Sequence, residues 1–329
     1  MPNIEISQLK VFLAAAEEES FSAAARRLHM SQSAVSQNIQ NLEKTYGVEL
    51  FIRRGRSVEL SEAGETILPT AREVINAARL LEDNLQNVNN EVGGELIIGC
   101  STSAGKYLMP TLLSSFQRRY PAVLPRVKIM GRDSVVERLL NETIPMGIAS
   151  KRLDHRDLEC VPLFEDRVIL IVPPDHPWAK YGRALPSDLL DQPFITREES
   201  SGTCEVVMEG LKANSITLDS LNVIMELGNA EAIEMAVENG MGIAFVSEMV
   251  AARGLALGRI KKVNVEGLDL QRTVYIARNV NRPFTRAQNL FWEFSQSQYE
   301  YLNNNVWKSL VNFPPMSQVC EPPGYSTQA

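Results

Sequence analysis

The sequence predicts an α+β multidomain protein in which a small helical N-terminal domain with a β-hairpin is joined by a long linker helix to a large C-terminal α/β domain of two subdomains. Three observations support this prediction. Amphipathic helices and a basic hairpin occupy residues 1–60, a heptad pattern occupies 61–92, and strand and helix patterns alternate over 93–310. The 329 residues, 44% hydrophobic and 22% charged, suffice for two or three globular domains.

The first sixty residues show the pattern of three short helices. Apolar residues recur at helical spacing in the first two, and Ser20 or Ser22 can cap the second. The third helix has Ser31 as its predicted N-cap and Gly47 as its left-handed C-cap. Its apolar stripe should face one core and consists of Val35, Ile39, Leu42 and Tyr46.

The opposite face of the third helix carries hydroxyl and amide side chains, which can reach base edges in the major groove of DNA. Two β-prone runs around an RRGR turn follow, and a basic hairpin beside a helix-turn-helix forms a wing for the phosphate backbone or the minor groove. The alternative is an ordinary amphipathic helix with a solvated face and a surface turn that happens to be basic. The hairpin directly after the helix pair favours DNA binding. The predicted DNA-binding residues are Ser22, Ser31, Gln32, Ser33, Ser36, Gln37, Gln40, Arg53, Arg54 and Arg56.

The net charge of −7 does not exclude DNA as a partner. Residues 1–60 contain seven Lys and Arg against seven Asp and Glu, so the entire negative excess lies in the rest of the chain. Because salt limits the reach of exposed charges to about 10 Å, local clustering of arginines decides phosphate contact.

Residues 61–92 predict a linker helix with an apolar seam whose steps alternate between four and three residues. A seam of this length predicts a partner helix, most simply that of a second copy of the chain. The alternative is a lone amphipathic helix packed on its own domain. Pro69 should cost a hydrogen bond or produce a kink near the start, and Gly93 and Gly94 end the helix. The seam consists of Ile67, Ala71, Val74, Ala78, Leu81, Leu85, Val88 and Val92.

The large domain at 93–310 divides into two predicted subdomains because it holds too many strands for one small sheet. Subdomain I comprises about 95–167 plus 271–310, and subdomain II about 168–270. The proline-rich residues 311–329 lack periodicity and are predicted to form a disordered tail.

Polar residues follow strands at three predicted helix starts, where unpaired amides and the helix dipole favour an anion. Simple capping is the common role for any one of these residues, but three related junctions favour a small carboxylate or phosphate bound between the subdomains. Closure of the two subdomains around such an effector would change the orientation of the DNA-binding domains relative to one another. The predicted ligand-binding residues are Ser101, Thr102, Ser103, Ser201, Gly202, Thr203 and Asn229.

The four cysteines are widely spaced, without CxxC motifs, which predicts free thiols and neither a zinc site nor a disulfide framework. Cys100 and Cys204 lie beside two of the junctions, where a helix N-terminus can lower a thiol pKa. A redox-responsive protein is therefore an alternative, although buried and inert cysteine is the commoner case.

The sequence contains no G-x-S-x-G, P-loop or H-E-x-x-H motif, so we predict no catalytic residues, no metal and no cofactor. An enzyme is thus a weak alternative. No apolar run reaches membrane-spanning length, and the N-terminus lacks the pattern of a secretory signal, so we expect a cytoplasmic protein without a membrane partner. That expectation, with the predicted winged helix, also argues against a solute-binding protein.

The segment SFSAAARRLHMSQSAVSQNIQNLEKTYGVELFIRRGRSVELSEAG resembles the N-terminal domain of the LysR-type transcriptional regulators. The segments STSAGKYLMPTLLSSFQRRYP and ELGNAEAIEMAVENGMGIAFVS resemble the effector-binding half of that family, whose fold is shared with periplasmic binding proteins. The resemblance implies a winged helix-turn-helix, a small-molecule effector, and assembly as a homotetramer, a dimer of dimers on a dyad operator. We expect RNA polymerase as a further partner. The family commonly has Arg or His where Gln37 stands, a difference that concerns which bases are read.

Overall fold

The computed structural model describes residues 4–54, 57–86 and 92–304. They form two compact units that divide near residue 91. The predicted tail at 311–329 and the wing residue Arg56 lie outside the described residues, as does Val88 of the heptad seam.

The first unit consists of helices and one two-stranded hairpin, as predicted. Ser20 Oγ accepts a hydrogen bond from the Ala23 amide at 3.3 Å, so Ser20 caps the second helix and Ser22 lies within it. Gly47 ends the third helix with φ 69°, a backbone conformation that is strained for residues with a side chain but not for glycine. The elements in chain order are α1 (Ile6–Glu18), α2 (Phe21–Arg27), α3 (Gln32–Tyr46), β1 (Phe51–Arg54), β2 (Ser57–Leu60) and α4 (Glu62–Gln86).

The core of this unit contains three packed aromatic rings. Phe51 of β1 packs on Phe12 of α1 and on Phe21 of α2, with ring centroids 5.6 and 5.4 Å apart. Val35, Ile39 and Leu42 complete it from α3. The prediction for the fourth member of the α3 stripe was wrong. Tyr46 is 40% exposed, because it is the last residue of α3 and lies at the rim of the core.

The two halves of α4 differ in burial. Ala71 and Ile75 are buried in the core of the first unit, although Ile75 is not part of the predicted seam. Farther along, Leu81 is 60% and Leu85 63% exposed. The helix runs through Pro69 as one continuous element.

The second unit is built on mixed sheets with helices against them. Its elements in chain order are β3 (Gly94–Cys100), a π-helical turn (Ala104–Leu108), α5 (Met109–Arg119), β4 (Val123–Ile129), α6 (Arg132–Leu140), β5 (Met146–Ala149), β6 (Leu158–Val172), α7 (Pro177–Tyr181), β7 (Arg183–Ala184), a 3-10 turn (Pro186–Asp191), β8 (Phe194–Thr196), α8 (Gly202–Lys212), a 3-10 turn (Leu218–Ser220), β9 (Val223–Glu226), α9 (Ala230–Glu238), β10 (Ile243–Ser247), α10 (Glu248–Ala256), β11 (Lys261–Val265), β12 (Gln271–Asn279) and α11 (Arg286–Ser297).

The long strand β6 belongs to both subdomains. Its residues up to Arg167 pair with β12 in the order β4-β3-β5-β12-β6, and from Val168 onward it pairs with β10 in the order β6-β10-β8-β9. β3 runs parallel to β4 and β5, and β8 runs parallel to β9 and β10. The carboxyl ends of these parallel strands are therefore the places where loops can form a ligand site. The two connections lie near 167–168 and 271.

Sequence patterns did not predict every element of subdomain II. The helix α10 follows β10 without a break, and β11 pairs with β6 through Lys261 and Val172. None of the helices within the described residues has the length and apolar character needed to cross a membrane.

Candidate functional site

One face of α3 is exposed to solvent along its length. Gln32, Ser33, Gln37 and Gln40 are exposed, and Ser36 is half-buried between this face and the core. Ser33, Gln37 and Gln40 follow one another at i, i+4 and i+7, so they lie on one side of the helix. Hydroxyl and amide side chains on an exposed helix face are of the kind that can reach base edges in the major groove.

Several polar side chains of this region are already held by neighbours. Ser31 Oγ accepts from the Ala34 amide at 3.1 Å, so Ser31 is the N-cap of α3, and its oxygen lies 2.9 Å from Ser33 Oγ. Gln37 Nε2 donates to Asn41 Oδ1 at 3.1 Å, which aligns the Gln37 amide along the exposed face. Ser22 is exposed in the first turn of α2.

The wing is fixed to α3 by one glutamate. Glu43 Oε1 accepts hydrogen bonds from the Leu50 amide at 2.8 Å and the Phe51 amide at 3.2 Å. The hairpin pairs Arg53 with Val58 and Arg54 with Ser57. The backbone of both arginines is thereby placed near the tip of the wing, whereas Arg56 lies outside the described residues.

The acidic end of α1 is compensated locally. Arg27 Nη1 lies 2.6 Å from Glu17 Oε2 and 3.2 Å from Glu18 Oε1. Burial lowers the pKa of Arg27, but the contacts with Glu17 and then Glu18 outweigh it and the pKa is raised. Glu17 and Glu18 therefore have a cationic partner in the same domain.

A cavity of about 240 Å³ lies between the two subdomains. It is formed largely by segments that follow strands at their carboxyl ends, the usual place for ligands in α/β sheets. The segments come from both subdomains and include two of the predicted junctions. The lining residues are Ser101, Thr102, Ser103, Ala104, Met130, Gly131, Arg132, Asp133, Ser134, Ser150, Arg197, Glu198, Ser200, Ser201, Gly202, Thr203, Met249, Arg272 and Val274.

The third predicted junction does not contribute to this cavity. Asn229 is absent from its lining, and Asn229 Oδ1 instead accepts from the Ala232 amide at 3.0 Å as the N-cap of α9. The side chain of Asn229 is used to cap α9, and Glu231, two residues farther along, contacts Tyr107 of subdomain I outside the cavity.

Hydroxyl groups at the start of α8 are connected to the strands shared by the two subdomains. Ser201 Oγ accepts from the Thr203 amide at 3.2 Å and caps α8. Thr203 Oγ1 accepts from Arg272 Nη1 at 3.1 Å, and Arg272 donates to Asp166 Oδ2 from Nε at 2.9 Å and Nη2 at 2.7 Å. Asp166 is fully buried and also accepts from Ser247 Oγ at 2.8 Å. The cavity is thus linked to β6 and β12 by an unbroken chain of hydrogen bonds.

Sequence reasoning missed the charged residues of the cavity. Arg197 is 9% exposed and donates from Nε and Nη2 to the two oxygens of Glu198 at 2.8 and 2.7 Å. These hydrogen bonds from Arg197 lower the pKa of Glu198. Arg132 follows β4 and Arg197 follows β8, so the available signal was their position after parallel strands.

Each cavity arginine has a carboxylate partner. Arg132 pairs with Glu205 at 2.6 Å, Arg197 with Glu198 at 2.7 Å, and Arg272 with Asp166 at 2.7 Å. A bound anion therefore meets cationic groups that protein carboxylates already contact, together with the hydroxyls of Ser103 and Thr203.

The cysteines do not have the environment that the redox alternative requires. Cys100 is fully buried in β3 and Cys204 is 5% exposed in α8. Burial raises the pKa of both thiols, the opposite of the lowering expected at a helix start, and it also raises that of Cys160. Burial therefore opposes formation of the thiolate that a redox-responsive cysteine needs. Cys100, Cys160 and Cys204 are free thiols, and Cys320 lies outside the described residues.

Family models match both units of the chain. Residues 6–65 match the bacterial regulatory helix-turn-helix protein, lysR family, and residues 89–300 match the LysR substrate binding domain. The chain belongs to the LysR family of transcriptional regulators. It is accordingly a regulator and not an enzyme. Within residues 4–54, 57–86 and 92–304, no group of three or more His, Cys, Asp and Glu side chains is placed to hold a metal ion.

Proteins similar to this LysR-type regulator include some whose descriptions name a regulated target, a DNA complex or a bound ligand. A probable RuBisCO transcriptional regulator of Cyanophora paradoxa is 33% identical over 310 residues, covering 93% of this chain and 96% of the relative. The structure of full-length CbnR complexed with its target DNA has a TM-score of 0.63 and 25% identity, covering 89% of this chain and 99% of CbnR. The Synechocystis PCC6803 CcmR regulatory domain in complex with 2-PG has a TM-score of 0.58 and 25% identity, covering 64% of this chain and 99% of that domain.

Proposed function

We propose that this LysR-type regulator binds double-stranded operator DNA through α3 and the wing, and that a small anionic metabolite bound between its subdomains controls that binding. The observation that carries the proposal is the convergence of two hydroxyl-rich strand ends and three arginines on one cavity. The exposed polar face of α3 supports the DNA-binding half of the proposal, as does the complex of CbnR with its target DNA.

The size and chemistry of the cavity support a small carboxylate or phosphate. Its volume of about 240 Å³ is below the range of about 300–1,000 Å³ typical of sites for drug-sized ligands. Guanidinium groups bind both carboxylates and phosphates through paired hydrogen bonds. The 2-PG complex of the CcmR regulatory domain makes 2-PG the first compound to test.

We propose in addition that the protein acts as a dimer of dimers on a dyad operator and affects transcription by contacting RNA polymerase. Support for self-association comes from Leu81 and Leu85, whose exposed side chains continue the heptad seam of α4. A purified in vitro transcription reaction would test the contact with RNA polymerase.

A gel shift with the DNA upstream of the protein's own gene tests the DNA-binding half. We expect specific, salt-dependent binding with competition by that DNA and little competition by unrelated DNA of equal length. Equal competition by both DNAs would contradict an operator in that region.

Thermal unfolding of the full-length protein with small carboxylates, phosphates and 2-PG tests the effector half. A ligand at a hundred times its Kd contributes about 2.7 kcal/mol to stability, which corresponds to a Tm increase of several degrees. Ser103→Ala or Thr203→Ala should reduce this increase while operator binding stays intact. Asn229→Ala is the matched control, since Asn229 caps a helix outside the cavity, and a reduced increase in that variant alone would place the ligand elsewhere.

A further inference from the structure

Glu205 of α8 connects the two subdomains at one side of the cavity. It belongs to subdomain II, and its two oxygens accept hydrogen bonds from two residues of subdomain I. Arg132 Nη1 donates to Glu205 Oε2 at 2.6 Å, and Lys151 Nζ donates to Glu205 Oε1. The hydrogen bonds from Lys151 and then Arg132 lower the pKa of Glu205, so this carboxylate is ionised at neutral pH.

Arg132 is the member of this bridge that also lines the cavity. The residues around the cavity include Arg132 but not Glu205, which lines a different cavity of about 450 Å³ that Arg132 also lines. The side chain of Arg132 is 22% exposed and that of Glu205 is 26% exposed, so water screens the pair incompletely. The Arg132 guanidinium therefore contacts Glu205 and at the same time borders the space in which an anionic ligand would sit.

A second bridge joins the subdomains away from the cavity. Glu231 of α9 accepts a hydrogen bond from the Tyr107 hydroxyl at 3.0 Å, and its other oxygen lies 3.0 Å from Lys106 Nζ. Burial raises the pKa of Glu231, but the contacts with Lys106 and Tyr107 outweigh it and the pKa is lowered. These three residues are not among those that line the cavity, so the two bridges differ in their access to a ligand.

We propose that the guanidinium of Arg132 binds the anionic effector and releases Glu205 when it does so. Binding of the ligand and loss of the Arg132–Glu205 contact are then a single exchange. This inference rests on the proposed anion site between the subdomains and identifies how that site is regulated. After the exchange Glu205 retains Lys151, whose side chain is 56% exposed. The bridge is then held by a more solvated partner, and the subdomains are joined less firmly on this side than at Glu231.

The exchange predicts that Glu205 and the effector compete. A competing protein carboxylate raises the apparent Kd of the ligand, because part of the binding free energy is used to displace it. Removing the competitor should therefore strengthen anion binding, which is the reverse of the usual effect of a substitution beside a binding site.

The test is calorimetric titration of the full-length protein with inorganic phosphate at constant ionic strength. Glu205→Gln should bind phosphate about tenfold more tightly than the wild type, a factor within the range of one charge-assisted hydrogen bond. Arg132→Gln should bind it at least about tenfold more weakly. Glu231→Gln, which disrupts the other bridge, should bind with unchanged affinity.

A double substitution separates competition from a general effect of charge. In the Arg132→Gln background, Glu205→Gln should give no gain in phosphate affinity, because no guanidinium remains to be shared. Glu205→Asp keeps the charge but shortens the side chain. In the wild-type background it should strengthen phosphate binding less than Glu205→Gln does. An equal gain from Glu205→Gln in both backgrounds would overturn the exchange.

The outcomes for the two proposals differ. If the wild type binds phosphate and Ser103→Ala weakens that binding, but Glu205→Gln and Glu205→Asp bring no gain, the exchange is wrong and the anion site stands. If neither the wild type nor Glu205→Gln binds phosphate, both the anion site and the exchange are contradicted. Unfolding temperatures close to that of the wild type establish that each variant is folded.

Discussion

Side chains on the exposed face of α3 and in the cavity differ in how much of their hydrogen-bonding capacity is already used. Gln37 donates to Asn41, but it is exposed, and its amide has a further donor and an acceptor. Thr203 is 5% exposed, and its oxygen accepts from Arg272. Substituting Gln37 should therefore affect contacts with DNA, whereas substituting Thr203 also changes the interior of the protein.

Gln37→Ala should change sequence preference more than overall affinity. Loss of a base contact costs about 1–3 kcal/mol at the base concerned and little elsewhere. Arg54→Ala should instead weaken binding to all sequences and flatten its dependence on salt. Binding to a randomised operator library at two salt concentrations would measure both effects. A uniform loss across sequences in both variants would contradict base readout by Gln37.

Cys100 and Cys204 should be unreactive in the folded protein at neutral pH. Burial raises the pKa of both thiols, so the nucleophilic thiolate is a small minority. Alkylation with iodoacetamide followed by peptide mapping should show slow modification of these two residues in the native state and rapid modification in denaturant. Rapid alkylation of either cysteine in the folded protein would support the alternative that the protein is redox-responsive.

At the scale of elements, α4 performs two tasks with different residues. Its first half contributes Ala71 and Ile75 to the core of the DNA-binding domain, and its second half exposes Leu81 and Leu85. Exposed leucines of one heptad seam on a long helix are typical of a surface that is covered by another helix. The helix thus has an apolar surface that its own domain does not bury.

Leu81→Glu combined with Leu85→Glu should reduce self-association and, with it, operator affinity. A charge on each apolar position opposes burial against a partner helix, whereas folding of the DNA-binding domain does not use these positions. Sedimentation velocity would report the change in mass. Arg79→Glu, an exposed position outside the seam, is the control, and unchanged assembly of the double variant would contradict a role for the seam.

At the scale of the whole molecule, β6 and β12 carry the connection between the cavity and both subdomains. Asp166 of β6 and Arg272 of β12 form a buried ion pair, and Arg272 reaches Thr203 at the start of α8. Removing one member of such a pair leaves an uncompensated buried charge, so substitution of either residue should lower the stability of the protein. Gly202, beside Thr203, fits closely against subdomain I.

Gly202→Ala should hinder the approach of the subdomains. An added Cβ would lie 2.3 Å from Ser150 Oγ and 3.4 Å from Ser150 Cβ, so either the Ser150 hydroxyl rotates away or the two segments separate. We expect a smaller ligand-induced increase in Tm for Gly202→Ala. Ser150→Ala removes the clashing oxygen, so the double variant should recover the response shown by Ser150→Ala alone. An unchanged response in Gly202→Ala would show that this contact does not restrict the subdomains.

The sequence by itself determined those features that depend on neighbouring residues. The caps Ser31 and Gly47, the hairpin and three of the four predicted core positions of α3 follow from local hydrogen bonding and helical spacing, and the structure shows them. Most strands and helices of the second unit likewise follow from the pattern of apolar and polar residues within each segment. The long motifs that resemble those of the LysR-type regulators also indicated the family and its function.

Only the tertiary structure decided which residues meet. Arg132, Arg197 and Arg272 are far apart in the chain and meet at one cavity, although β4, β12 and β8 are not neighbours in the strand order β4-β3-β5-β12-β6-β10-β8-β9. Asn229 has the same local pattern as the other junctions, yet it does not line the cavity and its side chain caps α9. Strand order is set by contacts between residues distant in sequence, and no local pattern encodes those contacts.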